Sequence, residues 1–300
     1  MYFKIKNLKT KRKFVIIVSN AFTLKWLTYL IRSLNIQRCM ESFLLIIVDY
    51  GNELHKLINI VEKCYFDVVA VSLKNVYGSA NQRNIGVFFA RKFIDSDYIL
   101  FIDSDVVILD NEFFCKLNNI VENLRTSVAI NHLLFNYNGS IQRSGAKLLG
   151  PFLLEFKNSK MKKSEFLHGA FFSLKCNIVD MIIQERKYLF PPVFYIGFDD
   201  YVLSLILHYY GLRSFPVLNI AKIIHIGGSS ISRISEKRLY EAMKNLVIGF
   251  ALANRKKLLI GIIPEYIFFS VIRSMLNRKM NVLNILRSLI RGLVSGIMYL

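Results

Sequence analysis

The chain is poor in cysteine, and its four cysteines lack the paired spacing of a metal site. Cys39, Cys64, Cys115 and Cys176 are widely separated in the sequence, and we expect each to lie in the core. This pattern argues against a cysteine-held metal, because such sites use closely spaced pairs. We therefore expect four buried, reduced thiols, as in a protein of a reducing compartment.

The chain also lacks a long, uninterrupted apolar run. Its hydrophobic content of 53% and mean hydropathy of +0.37 are high, but 20% of its residues are charged, which excludes a multi-span membrane protein. The longest C-terminal apolar stretch, residues 258–276, is interrupted by Pro264, Glu265 and Arg273. The run from Phe14 to Val18 is too short for a signal peptide and reads as a strand. We expect peripheral, monotopic attachment to a membrane surface, because a span would bury Glu265 and Arg273 in lipid.

Acidic residues are scarce, with 21 Asp and Glu against 40 Lys and Arg, and the surplus lies at the two ends. Residues 1–13 contain six basic residues and no acid, and residues 231–300 contain twelve basic residues and three Glu. In 285–291 the arginines alternate with apolar residues at helical spacing. Such a helix is typical of an anionic lipid interface. A nucleic-acid surface would add exposed aromatics or Gly-rich loops, so we expect no nucleic-acid partner.

Between the ends, apolar runs alternate with segments of helical periodicity. Strands are predicted at 14–18, 43–48, 67–71 and 98–103, and helices at 24–34, 53–64 and onward from a polar segment at 75–84 to about 93. This rhythm predicts an α/β fold with a doubly wound, mostly parallel sheet flanked by helices. Short strands are expected from 127 to 175, a helix at 177–185, and strands at 214–218 and 221–225. We assign 1–13 to a basic arm, 14–230 to one catalytic domain and 231–300 to a basic amphipathic helical region.

The fourth strand ends in two carboxylates, in the sequence Asp103-Ser104-Asp105. The carboxyl ends of parallel strands are where open α/β sheets bind ligands. Two neighbouring carboxylates repel each other unless a cation lies between them, and a divalent cation that carries phosphate oxygens satisfies both. The simpler alternative is that the two Asp residues cap a loop.

A second acidic pair, Asp199-Asp200, follows Gly197 and opens a helix that runs to Tyr210. Either these carboxylates only stabilise the positive end of the helix dipole, or one of them acts as a general base. His225 lies on an apolar strand before Gly227 and Gly228, where it is either a core residue or a metal ligand.

The order and spacing of these motifs resemble the inverting family 2 glycosyltransferases with the GT-A fold, including rhamnosyl-, galactofuranosyl- and other hexosyltransferases. The resemblance covers about 14–230. It implies a nucleotide-diphosphate-sugar donor, with Asp49 at the base and Arg83 at the diphosphate. The implied donor-binding residues are Ser19, Asn20, Asp49, Asn81, Arg83, Asp103 and Ser104. The implied ligands of a Mn²⁺ or Mg²⁺ ion are Asp105, Asp103 and His225.

The resemblance also implies that Asp200 is the catalytic base and that Asp199 orients it or the acceptor. His168 and Gly169 would line the acceptor side. The chain departs from many members of the family at Val202 and Ile206, where those members have an acid and an arginine, so the acceptor subclass stays open.

The implied activity is metal-dependent, inverting transfer of a sugar to a hydroxyl of a glycan or lipid-linked acceptor, at the cytoplasmic face of the cell membrane. Two alternatives stay open. One is a non-catalytic protein of the membrane surface that has the GT-A fold and only binds a nucleotide or glycan. The other is a nucleotidyltransferase, which usually has a Gly-rich, Arg-containing loop after the first strand, and Ser19-Asn20-Ala21-Phe22 is not such a loop.

Overall fold

The computed structural model describes residues 2–4, 11–22, 24–40, 43–74, 78–123, 129–149, 152–158, 160, 162–227, 236–277 and 281–300. The strands β1 to β13 are Tyr2–Lys4, Lys11–Ala21, Phe43–Tyr50, Val68–Leu73, Asp95–Asp103, Val106–Ile108, Ala129–Phe135, Ile141–Arg143, Gly145–Leu149, Phe152–Phe156, Lys163–Ser164, Phe171–Lys175 and Phe215–His225. The helices α1 to α9 are Lys25–Asn35, Leu54–Val61, Gly78–Phe93, Phe113–Asn123, Cys176–Arg186, Asp199–Tyr209, Glu236–Leu252, Leu259–Asn277 and Val282–Tyr299.

Within these residues, eleven strands form one sheet, in which nine follow the order β1-β4-β3-β2-β5-β12-β7-β13-β11. β6 pairs with β13, and β8 pairs with β7. Strands β4, β3, β2 and β5 are parallel, and β13 is parallel to β7. β12 is antiparallel to both β5 and β7. The predicted doubly wound α/β class is confirmed, with a parallel first half and a mixed second half.

Both faces of the sheet are buried, which explains why its strands are apolar along their whole length. In β2, Phe14, Ile16 and Val18 belong to the core that α1, α2 and α4 cover, whereas Val15 and Ile17 belong to the core under α3, α5 and α6. Burial of one such side chain stabilises the fold by about 1.5–3 kcal/mol. Alternate residues of one strand therefore fix helices on opposite faces.

A glycine sets the distance between α3 and the sheet. A Cβ on Gly86 would overlap the Ile17 side chain of β2. Because Gly86 lacks that atom, α3 lies directly on the strand. The close approach brings Arg83, one turn earlier on α3, to the end of the sheet where β2 and β5 finish.

Three details of the sheet differ from expectation. β2 begins at Lys11, and Arg12 is buried in an ion pair with Asp67, so this part of the basic arm lies inside the sheet. Tyr2–Lys4 pairs antiparallel with β4. β13 is one strand where two were predicted, and its register against β7 shifts between Leu218 and Ile223.

Some of the predicted segments lie outside the described residues. They are residues 5–10 of the predicted basic arm, residues 75–77 of the predicted polar segment, and residues 228–235 at the predicted boundary of the C-terminal region. The domain boundaries stay predictions.

The C-terminal helices pack on the catalytic fold and on each other. α7 is mostly buried. It lies so close to α6 that a Cβ on Gly249 would overlap the Val202 side chain. A Cβ on Gly292 or on Gly296 of α9 would likewise overlap atoms of α7. In the described residues, α9 is the one helix long and apolar enough to cross a membrane by length and composition, and 28% of it is buried.

The cysteines correct the sequence analysis. Cys39, just after α1, and Cys115, in α4, form a disulfide across a sequence separation of 76 residues. Cys64 and Cys176 are buried and take no part in this disulfide, as expected for reduced thiols. The spacing gave no sign of the bond, because α1 and α4 meet only through the fold of the sheet.

We predict that the unfolded, unreduced protein has two reactive thiols and that the reduced protein has four. Reduction should also lower the free energy of unfolding, on the order of 4 kcal/mol for a loop of this length. Thiol titration in denaturant, followed by thermal melts with and without reductant, measures both effects. Four reactive thiols in protein purified without reductant would contradict the bond.

Candidate active site

The carboxyl ends of β2, β3, β5 and β13 border one cavity of about 630 Å³. Strand register places the side chains: Ser19 of β2 lies opposite Asp103 of β5, and Asn20 lies opposite Asp49 of β3. Ser19, Asp103 and Ser104 line the cavity, as predicted for donor-binding residues. This is the edge of the sheet at which open α/β folds bind ligands.

Asp103, Asp105 and His225 form a cluster that could hold a divalent cation. One ligand atom from each lies within 4.8 Å of the others. Asp105 follows the end of β5 directly, and the backbone N–H of Ile226 donates to the Asp105 carbonyl over 3.0 Å, which joins the end of β13 to this turn. Asp105 and His225, which are far apart in the sequence, therefore lie close together in the structure.

The imidazole of His225 is held in place from both sides. Its Nδ1 lies 2.8 Å from Oε1 of Gln142, and its Nε2 lies 3.4 Å from Oδ1 of Asp105. Burial lowers the pKa of His225, but the hydrogen bond and charge of Asp105 and the charge of Asp103 outweigh burial and raise it overall. The carboxylates are thus arranged to stabilise positive charge at this point.

The donor set fits a divalent cation. Two carboxylates and one imidazole suit Mn²⁺, and the carboxylates suit Mg²⁺ as well. Burial raises the pKa of Asp103, and the neighbouring Asp105 adds to this, although the charge of Arg83 opposes it. A cation between the two carboxylates would relieve that repulsion.

Arg83 lies beside this cluster, with its hydrogen bonds directed to protein groups. Its guanidinium donates to Asp199 over 2.7 Å, to Asp103 over 2.9 Å and to the carbonyl of Gly169 over 2.7 Å. Burial lowers its pKa, but the charges of Asp199, Asp103 and Asp200 raise it overall, so Arg83 stays protonated. Arg83 lines the cavity. A contact between Arg83 and a diphosphate stays a prediction. The hydrogen bonds of Arg83 in the structure connect Asp103, of the candidate metal site, with Asp199, of the second acidic pair.

Asp199 and Asp200 lie in the first turn of α6 and are both buried. Asp199 accepts from Arg83, whereas Oδ2 of Asp200 accepts from the backbone N–H of Gly169 over 2.7 Å. Burial and the nearby charge of Asp199 raise the pKa of Asp200 to about 7. The two carboxylates thus differ: Asp199 is paired with a cation, and Asp200 is poised to exchange a proton near neutral pH.

His168 and Gly169, predicted for the acceptor side, also border the cavity. A Cβ on Gly169 would lie 2.9 Å from Oδ2 of Asp200, so glycine leaves room for the carboxylate. Burial lowers the pKa of His168 well below its usual value, which leaves the ring neutral.

Three predicted donor-binding residues do not border the cavity. Asn20 donates to Asp49 over 2.5 Å, and Asn52 donates to the same oxygen over 2.8 Å. Burial raises the pKa of Asp49. Asn81 donates to the carbonyl of Pro192 over 2.7 Å, a contact between α3 and the loop after α5. The donor-binding roles of Asn20, Asp49 and Asn81 stay predictions.

Several residues of the cavity wall escaped the sequence analysis. Phe22, directly after β2, and Tyr50, the last residue of β3, meet edge to face with ring centroids 5.2 Å apart. Their positions at two strand ends could have identified them. Arg143 and Glu155 lie on short strands of the middle region and Arg238 lies on α7, and all three border the cavity. No periodic pattern distinguished these three.

Comparison with known proteins agrees with this geometry. No curated protein sequence matches the chain. The crystal structure of S. aureus TarS 1–349 in complex with UDP-GlcNAc matches with a TM-score of 0.63 and 19% identity, and the match covers 95% of this chain and 81% of that one. The mannosyltransferase PcManGT from Pyrobaculum calidifontis, in complex with GDP-Man and Mn²⁺, matches with a TM-score of 0.58 and 12% identity, over 99% and 90% of the two chains. At these identities the matches show the fold, which is GT-A.

The sequence model of glycosyl transferase family 2 matches residues 14–185 of the chain. That segment is more than half of the 300 residues. It includes Arg83, the Asp103–Asp105 motif and Gly169, and it ends before Asp199. On this evidence, the chain belongs to glycosyl transferase family 2.

Proposed function

We propose that the protein transfers a sugar from a nucleotide-diphosphate donor to a hydroxyl of a glycan or lipid-linked acceptor, with inversion and with Mn²⁺ or Mg²⁺ as cofactor. One observation carries the proposal: the Asp103–Asp105–His225 cluster and a buried carboxylate with a pKa of about 7 border the same cavity. The bound ligands of the structural neighbours, UDP-GlcNAc in one and GDP-Man with Mn²⁺ in the other, support the donor class and the cation.

Asp200 would take the proton of the acceptor hydroxyl while that oxygen attacks the anomeric carbon from the side opposite the leaving nucleotide. A single displacement of this kind inverts the anomeric centre. Gly169 holds Asp200 in place, and Arg83 holds Asp199 and Asp103. A cation held by Asp103, Asp105 and His225 would neutralise the diphosphate leaving group, an effect worth several kcal/mol.

The membrane setting, peripheral and at the cytoplasmic face, is part of the proposal. Exposed apolar side chains on α8 and α9 support it, among them Phe268 and Phe269 at 60% and 59% exposure. Lys256 and Lys257 precede α8, and Arg287 and Arg291 are exposed on α9. Each cation near anionic lipid contributes about 1 kcal/mol. Disulfides are rare in reducing compartments, so the Cys39–Cys115 bond opposes the cytoplasmic side, and finding that bond in cells alkylated at lysis would refute this part of the proposal.

Asp105→Asn and Asp200→Asn should each lower kcat by about 100-fold or more, the usual contribution of a positioned acid or base and of a metal ligand. The donor is first identified by thermal shift with a panel of nucleotide sugars and Mn²⁺, and turnover is then measured as release of nucleoside diphosphate. Asp180→Asn is the matched control, because Asp180 pairs with Arg91 outside the cavity. Full turnover by either site variant would refute its role, and a protein that binds the donor without turnover would be the non-catalytic alternative.

Activity should follow the ionisation of Asp200. Because the base must be deprotonated and its pKa is about 7, kcat/KM should fall about tenfold per pH unit below pH 7. The unfolded carboxyl has a pKa near 4, so the folded state holds the extra proton between about pH 4 and 7 and its stability falls as pH rises through that window. Asp200→Asn should lack this contribution in thermal melts. A kcat/KM that does not change between pH 5 and pH 8 would contradict the assignment of Asp200 as the base.

Membrane binding should depend on the outer face of α8. Replacing Phe268 and Phe269 together by Ser should weaken binding to anionic vesicles about tenfold or more, because two exposed apolar side chains no longer enter the interface. Flotation with vesicles of anionic and of neutral lipid measures this. Tyr137→Ser, which removes an exposed aromatic between β7 and β8, is the control. Equal flotation of all three proteins would exclude this face, and a salt-sensitive shift of duplex DNA would favour a nucleic-acid partner.

A further inference from the structure

The turn before α6 has an uncommon backbone. Gly197 and Phe198 are consecutive residues with φ of +75° and +63°. A left-handed conformation costs a residue with a side chain about 1–2 kcal/mol, so neighbouring groups must hold Phe198 in it. Tyr195, Ile196 and Gly197 border the cavity, and Asp199 follows directly. The geometry of this turn therefore sets the direction in which the acidic pair points.

Helices on two sides hold the turn through its carbonyl groups. From α3, the N–H of Ser79 donates to the carbonyl of Tyr195 over 3.0 Å. From α7, the amide of Asn245 donates to Ile196 over 3.1 Å and to Gly197 over 2.9 Å. Lys244, next to Asn245, donates to Val193 over 3.2 Å. Four carbonyls of 193–197 are thus bound, three of them by α7.

Asn245 is fully buried and does not border the cavity. Burial of a primary amide is unfavourable unless its polar atoms form hydrogen bonds. Its Nδ2 donates twice to this turn, whereas its Oδ1 has no hydrogen-bond partner among the described residues. The contact exists because Gly249, one turn later, lets α7 approach Val202 of α6. A second link comes from α8, where Tyr266 packs edge to face on Phe198 with centroids 5.7 Å apart.

We infer that Asn245 is a positioning residue for Asp199 and Asp200, so that α7 belongs to the catalytic apparatus as well as joining it to the proposed membrane-binding helices. The role of Asn245 in turnover rests on the proposed function. The restraint of the turn does not, because it follows from the hydrogen bonds alone. Asn245 lies outside the segment that the family model matches.

Two variants of the full-length protein test the inference. Asn245→Ala removes both donors, and Asn245→Ser keeps one. Hydrogen exchange of peptides within 193–204 should be about tenfold faster in Asn245→Ala and intermediate in Asn245→Ser, with exchange of β2 and β5 unchanged. Turnover of the donor found by thermal shift should show kcat reduced about tenfold with KM for the donor within about twofold, since the donor side is untouched.

Asn281→Ala is the matched control, because Asn281 accepts from the N–H of Leu283 at the exposed start of α9. It should alter neither exchange in 193–204 nor kcat, even if it lowers the melting temperature. Unchanged exchange in Asn245→Ala, or equal acceleration in β2 and β5, would overturn the inference. If Asn245→Ala does not fold, Asn245→Ser decides by the same two readouts. Faster local exchange in a protein that turns over no donor would refute the proposed function and leave the restraint of the turn established.

Discussion

The active site depends on one buried cation, the guanidinium of Arg83. Asp103, Asp105, Asp199 and Asp200 border a single cavity, and four carboxylates this close would repel one another in a low-dielectric environment. Arg83 donates to one carboxylate of each pair. Its own charge is maintained by those carboxylates, because their attraction outweighs the effect of burial on its pKa. Arg83 therefore reduces the repulsion between the candidate metal site and the acidic pair by donating to one carboxylate of each.

The same arrangement makes the two carboxylates of α6 different. Asp199 has a full cationic partner, whereas Asp200 has one backbone N–H and the repulsion of Asp199. Burial, together with the repulsion of Asp199, raises the pKa of Asp200 to about 7, although the charges of Arg143 and Arg83 oppose the rise. Gly169 connects both effects, since its carbonyl accepts from Arg83 and its N–H donates to Asp200. The backbone of Gly169 thus links the position of the Asp200 carboxylate to that of the Arg83 guanidinium.

Sequence reasoning predicted the parallel half of the sheet because its strands are buried on both faces. The apolar runs that end at Ser19, Asp49 and Asp103 can be recognised as strands from the sequence alone. The order of these strands in the sheet then brings their carboxyl ends together. The mixed half was harder, because β6, β8 and β11 are short and β13 continues through a register shift. The partners of Arg83 were inaccessible for another reason. Asp199 is 116 residues away, and no local pattern encodes such a contact.

In the C-terminal region, composition predicted the exposed helices but not the buried one. Surplus positive charge describes α9, where Arg287 and Arg291 are exposed, and apolar spacing describes the exposed apolar side chains of α8 and α9. They do not describe α7, whose buried residues contact α6 and the turn before it. Asp199, Asp200, His225 and Asn245 all lie beyond residue 185, where the family match ends. The matched segment contains the predicted donor-binding residues and two of the three candidate metal ligands, whereas the acidic pair, His225 and Asn245 follow it. α7 therefore contacts both the turn before Asp199 and the helices proposed to meet lipid, and Tyr266 of α8 contacts Phe198 of that turn directly.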